Sequence, residues 1–339
     1  MTASSPTVAV IACTHNPGSN VDSFAARLRN LALWADTVIV VDDASTDGSS
    51  VVLRRMADQV ENVLHVPAAT NLGIARARNL ALALCDTDYV WFVDDDDEWP
   101  AGIEVALREA ATLDADLVQF RAVYCPAPGS PTRVVDGIDG DEVVSGACGR
   151  SALLGGQIGG FLWSKLIRRK ALGRDPFPPI SAHSDVVGVA RVLASARRVV
   201  FRSTVVYHYV HRAESVSRRS EPDWRALEYA CHRVVELVGG SSSPTDRSLF
   251  VATFLCRALI RTPVRSRVDR AKRCQASEML QRTWRDLDRD LVRARDPMLW
   301  SIVSLGARSP GTTRIVYAAL YRTLDGLRWL RRSALAPHR

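Results

Sequence analysis

Three short apolar runs set the pattern of the first hundred residues. They are TVAVIA (Thr7–Ala12), TVIVV (Thr37–Val41) and YVWFV (Tyr89–Val93). None alternates with polar residues, and all are rich in β-branched or aromatic side chains. A run of this kind is a strand covered on both faces, as in parallel sheets flanked by helices. Between the runs the period changes. Phe24, Leu28, Leu31 and Trp34 recur at helical spacing, as do Ile74, Ala77, Leu80 and Leu84. A shorter apolar stretch, Asn62–Val66, predicts a further strand. The β-α-β-α order predicts a doubly wound, mostly parallel α/β sheet. From Trp224 onward the pattern is helical. Leu249, Phe250, Phe254 and Leu255 are expected on a buried side that ends near Pro263. Over residues 316–332, Val316, Leu320, Leu324 and Leu327 form an apolar stripe, and Arg322, Arg328, Arg331 and Arg332 occupy the other positions.

Each apolar run stops at a polar cluster. The first gives Thr14, His15 and Asn16, the second DDASTDGS (Asp42–Ser49), the third Asp94–Asp97 followed by Glu98. In open parallel sheets ligands bind beyond the carboxyl ends of the strands, so the three clusters are expected to converge. Ser45–Gly48 suits a turn or a helix cap as well as a ligand. Four consecutive aspartates ask for more. Two carboxylates about 4 Å apart repel by about 4 kcal/mol at an effective dielectric near 20. A divalent cation among them removes that penalty, and the hard ions Mg²⁺ and Mn²⁺ prefer carboxylate oxygens shared with substrate phosphates. The spaced ligands and glycine of an EF-hand calcium loop are absent.

Composition narrows the classes. A chain of 339 residues, 47% hydrophobic and 24% charged, is globular, with length for one large or two smaller domains. No run of 18 uncharged apolar residues predicts a membrane span. The start, MTASSPTVAV, lacks the features of a secretory signal, so a cytoplasmic location is expected. Seven scattered cysteines without a CxxC pair are expected to be reduced and mostly core, with no zinc site. Charge divides the chain. Residues 221–339 carry 22 Lys+Arg against 12 Asp+Glu, whereas residues 1–220 are slightly acidic. We therefore expect an α/β catalytic domain over 1–220 and a basic helical region over 221–339. The latter's last helix would be a contact with an anionic membrane surface at the inner face, an oligomer seam, or a cap on the core. GGQIGG (Gly155–Gly160) suits a mobile or closely approached loop and lacks the Gly-Lys-Ser/Thr ending of a P-loop. A phospho-acceptor signalling domain fits badly, because the acidic pair follows the second strand rather than the first.

The stretches VIACTHN, VVDDASTDGS, NLGIARARN and FVDDDDEW, in this order, resemble the successive motifs of the family 2 glycosyltransferases, which have the GT-A (Rossmann-like) fold. LWSKLIRRKAL (Leu162–Leu172) resembles the family's Trp-x-Lys-Leu segment. Asp185 stands where the family has the aspartate of a Glu-Asp pair, with Ser184 in place of the glutamate. VVYHYVHRAESVS (Val205–Ser217) is similar to its Tyr-rich strand and basic residue. The similarity runs from Val8 to Ser217. It implies an inverting, metal-dependent transferase that moves a sugar from a UDP- or dTDP-sugar to a hydroxyl of a glycan, glycolipid, cell-wall polymer or secondary metabolite. A polyprenyl-phosphate sugar synthase on the same fold and a catalytically inactive carbohydrate- or nucleotide-binding relative are the alternatives. Carried over by residue, Thr14 and Asp43 would face the base, Asn16 would also bind the donor, and Asn71 and Arg78 would hold the nucleotide end of the pocket. Asp94, Asp95 and Asp96 would serve the donor, with Asp94 and Asp96 as the Asp-x-Asp motif and Asp96 the direct ligand of Mn²⁺ or Mg²⁺. His211 or Arg212 would approach the diphosphate. Asp185 would be the catalytic base, with His183 its competitor. Trp99, Trp163 and Lys165 would shape the acceptor site, although Trp99 suits packing beneath the aspartate loop equally. The implied partners are the donor and a carbohydrate or lipid-linked acceptor, with no nucleic acid; the basic last helix leaves open an anionic membrane surface or a second copy of the chain as a further partner.

Overall fold

The computed structural model describes residues 5–125, 133–210, 221–265 and 268–311. Tertiary contacts divide the chain into two compact units, one of residues 1–219 with 232–242 and one of 220–231 with 243–339. This differs from a single cut after residue 220 in that 232–242 belong with the first unit.

The first unit contains β1 (Val8–Thr14), α1 (Val21–Ala32), β2 (Thr37–Asp42), α2 (Ser49–Ala57), β3 (Val63–Pro67), α3 (Ile74–Ala83), β4 (Tyr89–Asp94), α4 (Ile103–Ala111), β5 (Leu117–Cys125), β6 (Arg133–Asp136), β7 (Glu142–Ser145), α5 (Gly146–Leu154), β8 (Lys165–Arg168), α6 (Arg169–Leu172), α7 (Ser184–Ser195) and β9 (Arg198–Val210). Its sheet runs β3-β2-β1-β4-β8-β5-β9-β7, with β6 paired to β5. The four strands from β3 to β4 are mutually parallel, and β8 lies antiparallel between β4 and β5. The apolar runs are these parallel strands. Every residue of β1 is buried, and so are Val38–Asp42 and Tyr89–Val93. Phe24, Leu28 and Leu31 of α1 close one face.

The buried side of α3 is the expected one only in part. Ala77 is buried and Leu80 half-buried as the spacing predicts, whereas Ile74 and Leu84 are exposed and Ala75, Ala81 and Leu82 face inward. A face of small side chains lets the helix approach the sheet, and Arg78 lies almost buried, its side chain 11% exposed.

The second unit begins with the first residues of α8 (Trp224–Val238) and continues with α9 (Pro244–Phe250), α10 (Arg257–Arg265), α11 (Arg270–Asp286), α12 (Arg289–Arg295) and α13 (Pro297–Arg308). Ser243, Asp269, Asp288 and Asp296 each accept a backbone N–H at the start of a helix, satisfying donors the helix leaves free. A π-helical turn, Val251–Cys256, joins α9 to α10. It shifts the helical period. Phe250 and Leu255 are buried as expected, whereas Leu249 and Phe254 are only half-buried. The apolar stripe of residues 316–332 lies outside the described residues. Among those described, no helix is long and apolar enough to cross a membrane. All seven cysteines are free, and Cys13, Cys85, Cys231 and Cys256 are buried.

Candidate active site

The strand register brings the three polar clusters to one edge of the sheet. Thr14 pairs with Asp42 across β1 and β2, and Cys13 pairs with Asp94 across β1 and β4. The loops after β1 and β2 are tied together. Asn16 donates its backbone N–H to Ser45 Oγ (2.9 Å) and accepts the Thr46 N–H on its side-chain oxygen (2.7 Å). Gly18 N–H donates to Asp47 Oδ2 at 2.7 Å, and a ring nitrogen of His15 lies 2.7 Å from the Asp43 carbonyl. The turn reading of Ser45–Gly48 therefore holds for part of this cluster. Asp43, only 4% exposed, accepts the N–H groups of Leu72 (2.6 Å) and Gly73 (2.9 Å), one on each carboxylate oxygen. Asn71 Oδ1 also accepts the Gly73 N–H, at 3.1 Å. Asp43 thus ties the end of β2 to the start of α3, and each of its oxygens keeps a second lone pair.

The four aspartates are not crowded around one point. Asp94 pairs with Arg78 Nη2 at 3.1 Å, and its N–H donates to the Tyr207 hydroxyl at 3.0 Å. Asp95 turns the other way and accepts the hydroxyl of Thr14, while its carbonyl accepts Arg27 Nη2 at 2.8 Å. Asp97 points inward, 1% exposed, and accepts the Val210 N–H at 2.9 Å. Asp96 sits half-buried in the turn between them. Burial, reinforced by the charges of Asp94 and Asp96, pushes the Asp97 carboxyl up to about 8. Burial likewise raises Asp95 to about 6, against the hydrogen bond from Thr14. Burial and the neighbouring carboxylates thus favour the neutral form of Asp97.

Asp185 joins this edge from α7. It lies in the first turn of the helix, and its Oδ1 accepts the Val186 N–H at 2.9 Å. Burial on its own would lower the pKa of the Arg78 guanidinium. The Asp94 and Asp185 carboxylates outweigh it, and the net shift is upward. Arg78 is therefore a fixed cation in the field of both acids. His183 precedes the helix with an exposed side chain and a left-handed backbone, φ 66°. Ser184 is 2% exposed, so a glutamate in its place would enter the interior.

The expected acceptor residues divide. Lys165, expected at the acceptor site, is turned inward. It is fully buried, and its ammonium donates to Asp136 Oδ2 (2.9 Å), the Phe161 carbonyl (2.7 Å) and Ser164 Oγ (3.1 Å). β6 supplies the Asp136 that neutralises it, which the local sequence around Lys165 does not show. Trp163, 6% exposed, is sandwiched between Phe161 and Tyr207. Trp99 is half-buried, with Trp91 edge-on at 5.7 Å and Arg27 over its ring at 5.8 Å, so it packs beneath the aspartate turn. His211 and Arg212 lie outside the described residues. Tyr207, Arg27 and Asp136 carry contacts that sequence reasoning missed. Only the Tyr-rich character of β9 pointed toward one of them.

Among the described residues, no group of three His, Cys, Asp or Glu side chains is gathered to hold a metal ion. Asp94 and Asp96 at the sheet edge suit an ion that takes one or two carboxylates from the protein and its other oxygens from phosphates and water, as Mg²⁺ does. The donor set fits on those terms.

Residues 9–172 match the profile of Glycosyl transferase family 2. An uncharacterised glycosyltransferase of Escherichia coli, YibD, is 26% identical over 234 residues, covering 67% of this chain and 68% of that protein. The cholesterol galactosyltransferase of Borreliella burgdorferi is 26% identical over 231 residues, covering 62% of each chain. Among solved structures, S. aureus TarS 1–349 in complex with UDP-GlcNAc superposes with a TM-score of 0.68 at 16% identity, over 94% of this chain and 92% of that one. That likeness is one of fold, and it is the GT-A arrangement.

Proposed function

From the premise that residues 9–172 form a family 2 glycosyltransferase domain, we propose that this chain moves a sugar from a nucleoside-diphosphate sugar to a hydroxyl acceptor, with inversion and with the help of Mn²⁺ or Mg²⁺. The observation that carries the proposal is the Asp94–Arg78 ion pair at the carboxyl edge of the parallel strands, with the Asp185 carboxylate within the electrostatic reach of Arg78. A UDP-sugar is favoured because TarS was crystallised with UDP-GlcNAc. The acceptor class is a glycan, glycolipid or cell-wall polymer, and one relative is a transferase to a sterol.

In this reading Thr14, Asn16, Asp43 and Asn71 border the base and ribose. Asp94 and Asp96 would hold the cation. When bound, the ion offsets the charge that builds on the departing diphosphate. Arg78, almost buried and already paired with Asp94, adds positive charge that needs no reorganisation during the reaction. Asp185 takes the proton of the acceptor hydroxyl as it attacks from the face opposite the diphosphate, which inverts the anomeric centre. Its Oδ1 is oriented by the Val186 N–H, so orientation does not depend on the missing glutamate.

The test is thermal denaturation of the whole chain with UDP-, dTDP- and GDP-sugars, with and without Mn²⁺, alongside release of nucleoside diphosphate. A ligand at a hundredfold excess over its dissociation constant stabilises by about 2.7 kcal/mol. Stabilisation by a UDP-sugar that increases with Mn²⁺ is expected. No response to any sugar nucleotide overturns the reading.

A further inference from the structure

Phe161 is an exception among the large aromatic side chains of the first unit. It is 40% exposed, yet its ring is stacked rather than loose. Its centroid lies 4.6 Å from that of Trp163 with 14° between planes, and Trp163 lies 4.8 Å from Tyr207 with 5° between planes. The hydroxyl of Tyr207 in turn accepts the N–H of Asp94. An aromatic column therefore runs from the aspartate turn to the partly exposed side chain of Phe161.

The support of that ring is rigid. The Phe161 carbonyl accepts the buried Lys165 ammonium at 2.7 Å and Ser164 Oγ at 3.3 Å. Gly159 N–H donates to Asp136 Oδ1 at 2.5 Å. Gly160 lies so close to α7 that a Cβ there would come within 2.3 Å of Val186 Cβ. Val186 directly follows Asp185. The loop that presents Phe161 is thus clamped from inside and pressed against the residue next to the candidate base.

We propose that the outer face of Phe161 is the platform on which the acceptor's sugar ring stacks, setting its hydroxyl toward Asp185. The inference rests on the glycosyltransferase reading above. An acceptor must lie beside the base, and a pyranose presents an apolar face of axial C–H groups that matches a fixed aromatic ring. An exposed Phe loses contact with water there, and pre-ordered support spares the entropy of fixing the loop on binding. The buried Lys165 and Asp136 act at one remove, as positioning residues for this ring.

The experiment is saturation-transfer NMR on the whole chain with UDP as internal reference. The probes are the methyl β-glycosides of glucose, galactose and N-acetylglucosamine. For at least one probe, the strongest signals are expected on the axial C–H face. Its dissociation constant is expected to rise about tenfold in Phe161→Ala, a change of about 1.4 kcal/mol, and to be restored in Phe161→Trp. UDP should bind all three proteins alike. Because the side chain is partly exposed, the folded state is expected to survive, and a melting curve checks it. Equal glycoside binding by Phe161→Ala overturns the platform. So does a wild-type protein that binds UDP and none of the three glycosides, while leaving the transferase reading intact. Failure of UDP itself to bind removes the transferase reading, and the platform with it.

Discussion

Replacing Lys165 by methionine is expected to cost the first unit about 3–5 kcal/mol, the range for removing one partner of a buried ion pair. The structure places this substitution at the severe end of what single changes do. Lys165 and Asp136 are both fully shielded. Asp136 accepts four hydrogen bonds, from Gly137 N, Gly159 N, Ser164 Oγ and Lys165 Nζ, at 2.9, 2.5, 2.5 and 2.9 Å. After the change three donors remain, but the carboxylate keeps its charge in the interior without a counter-ion. Asp136→Ala leaves the opposite orphan, an ammonium held only by Ser164 Oγ and the Phe161 carbonyl. Burial already lowers the Lys165 pKa despite its carboxylate partner, so loss of that partner favours the neutral amine still more. The double variant removes both charges, and a cycle is expected to give a coupling of about 2–3 kcal/mol. Hydrogen exchange of the β5 and β8 amides reads the first unit separately from the second. A Lys165→Met protein within about 0.5 kcal/mol of wild type, as for an ordinary surface change, would refute the reasoning and return the lysine to the acceptor site.

Other outcomes follow from the same geometry. Asp185→Asn is expected to keep UDP affinity and fold while lowering transfer by about 10²–10⁴, with His183→Gln milder by far, and single-turnover rates at saturating donor reverse the assignment if the order is opposite. Asp96→Ala is expected to abolish both transfer and the Mn²⁺ dependence of donor binding, since a carboxylate in the turn is removed without disturbing the bonds of Asp94, Asp95 or Asp97; full turnover in EDTA would count against it. Asp43→Ala leaves the Leu72 and Gly73 N–H groups without their acceptor, so a loss of about 1–3 kcal/mol in stability is expected together with a donor KM that rises more than kcat falls. Ser184→Glu is expected to destabilise rather than activate, because position 184 is interior, and a melting temperature equal to wild type would contradict that.

The parallel half of the sheet was legible in the chain because its cause is local. β1, β2 and β4 are contiguous apolar runs that only a doubly covered strand accommodates, and each must end where polar residues begin. The meeting of Thr14, Asp43 and the aspartates at one edge follows from parallel direction alone. Whatever depends on the partner across a strand or helix was not legible. The apolar spacing of α3 indicated Ile74 and Leu84 along with Ala77 and Leu80, yet the sheet takes the alanine face, of which only Ala77 was expected, and turns Arg78 toward Asp94. A π-helical turn shifted the period of the second unit's apolar positions without any mark in the spacing. Lys165 resembled a ligand residue until β6 brought Asp136 to it from 29 positions away. The four aspartates, read as one cluster, separate because successive residues of an extended chain and turn point in different directions. Three of them then meet different partners: Asp94 meets Arg78 from α3, Asp95 meets Thr14 from β1, and Asp97 meets Val210 from β9. Period and polarity act within a segment, and so the strands and the edge at which they deliver their polar ends are written in the local pattern. Charge pairing and side-chain burial act between segments distant in the chain, and so the partner of each carboxylate emerges only when those segments meet in the fold.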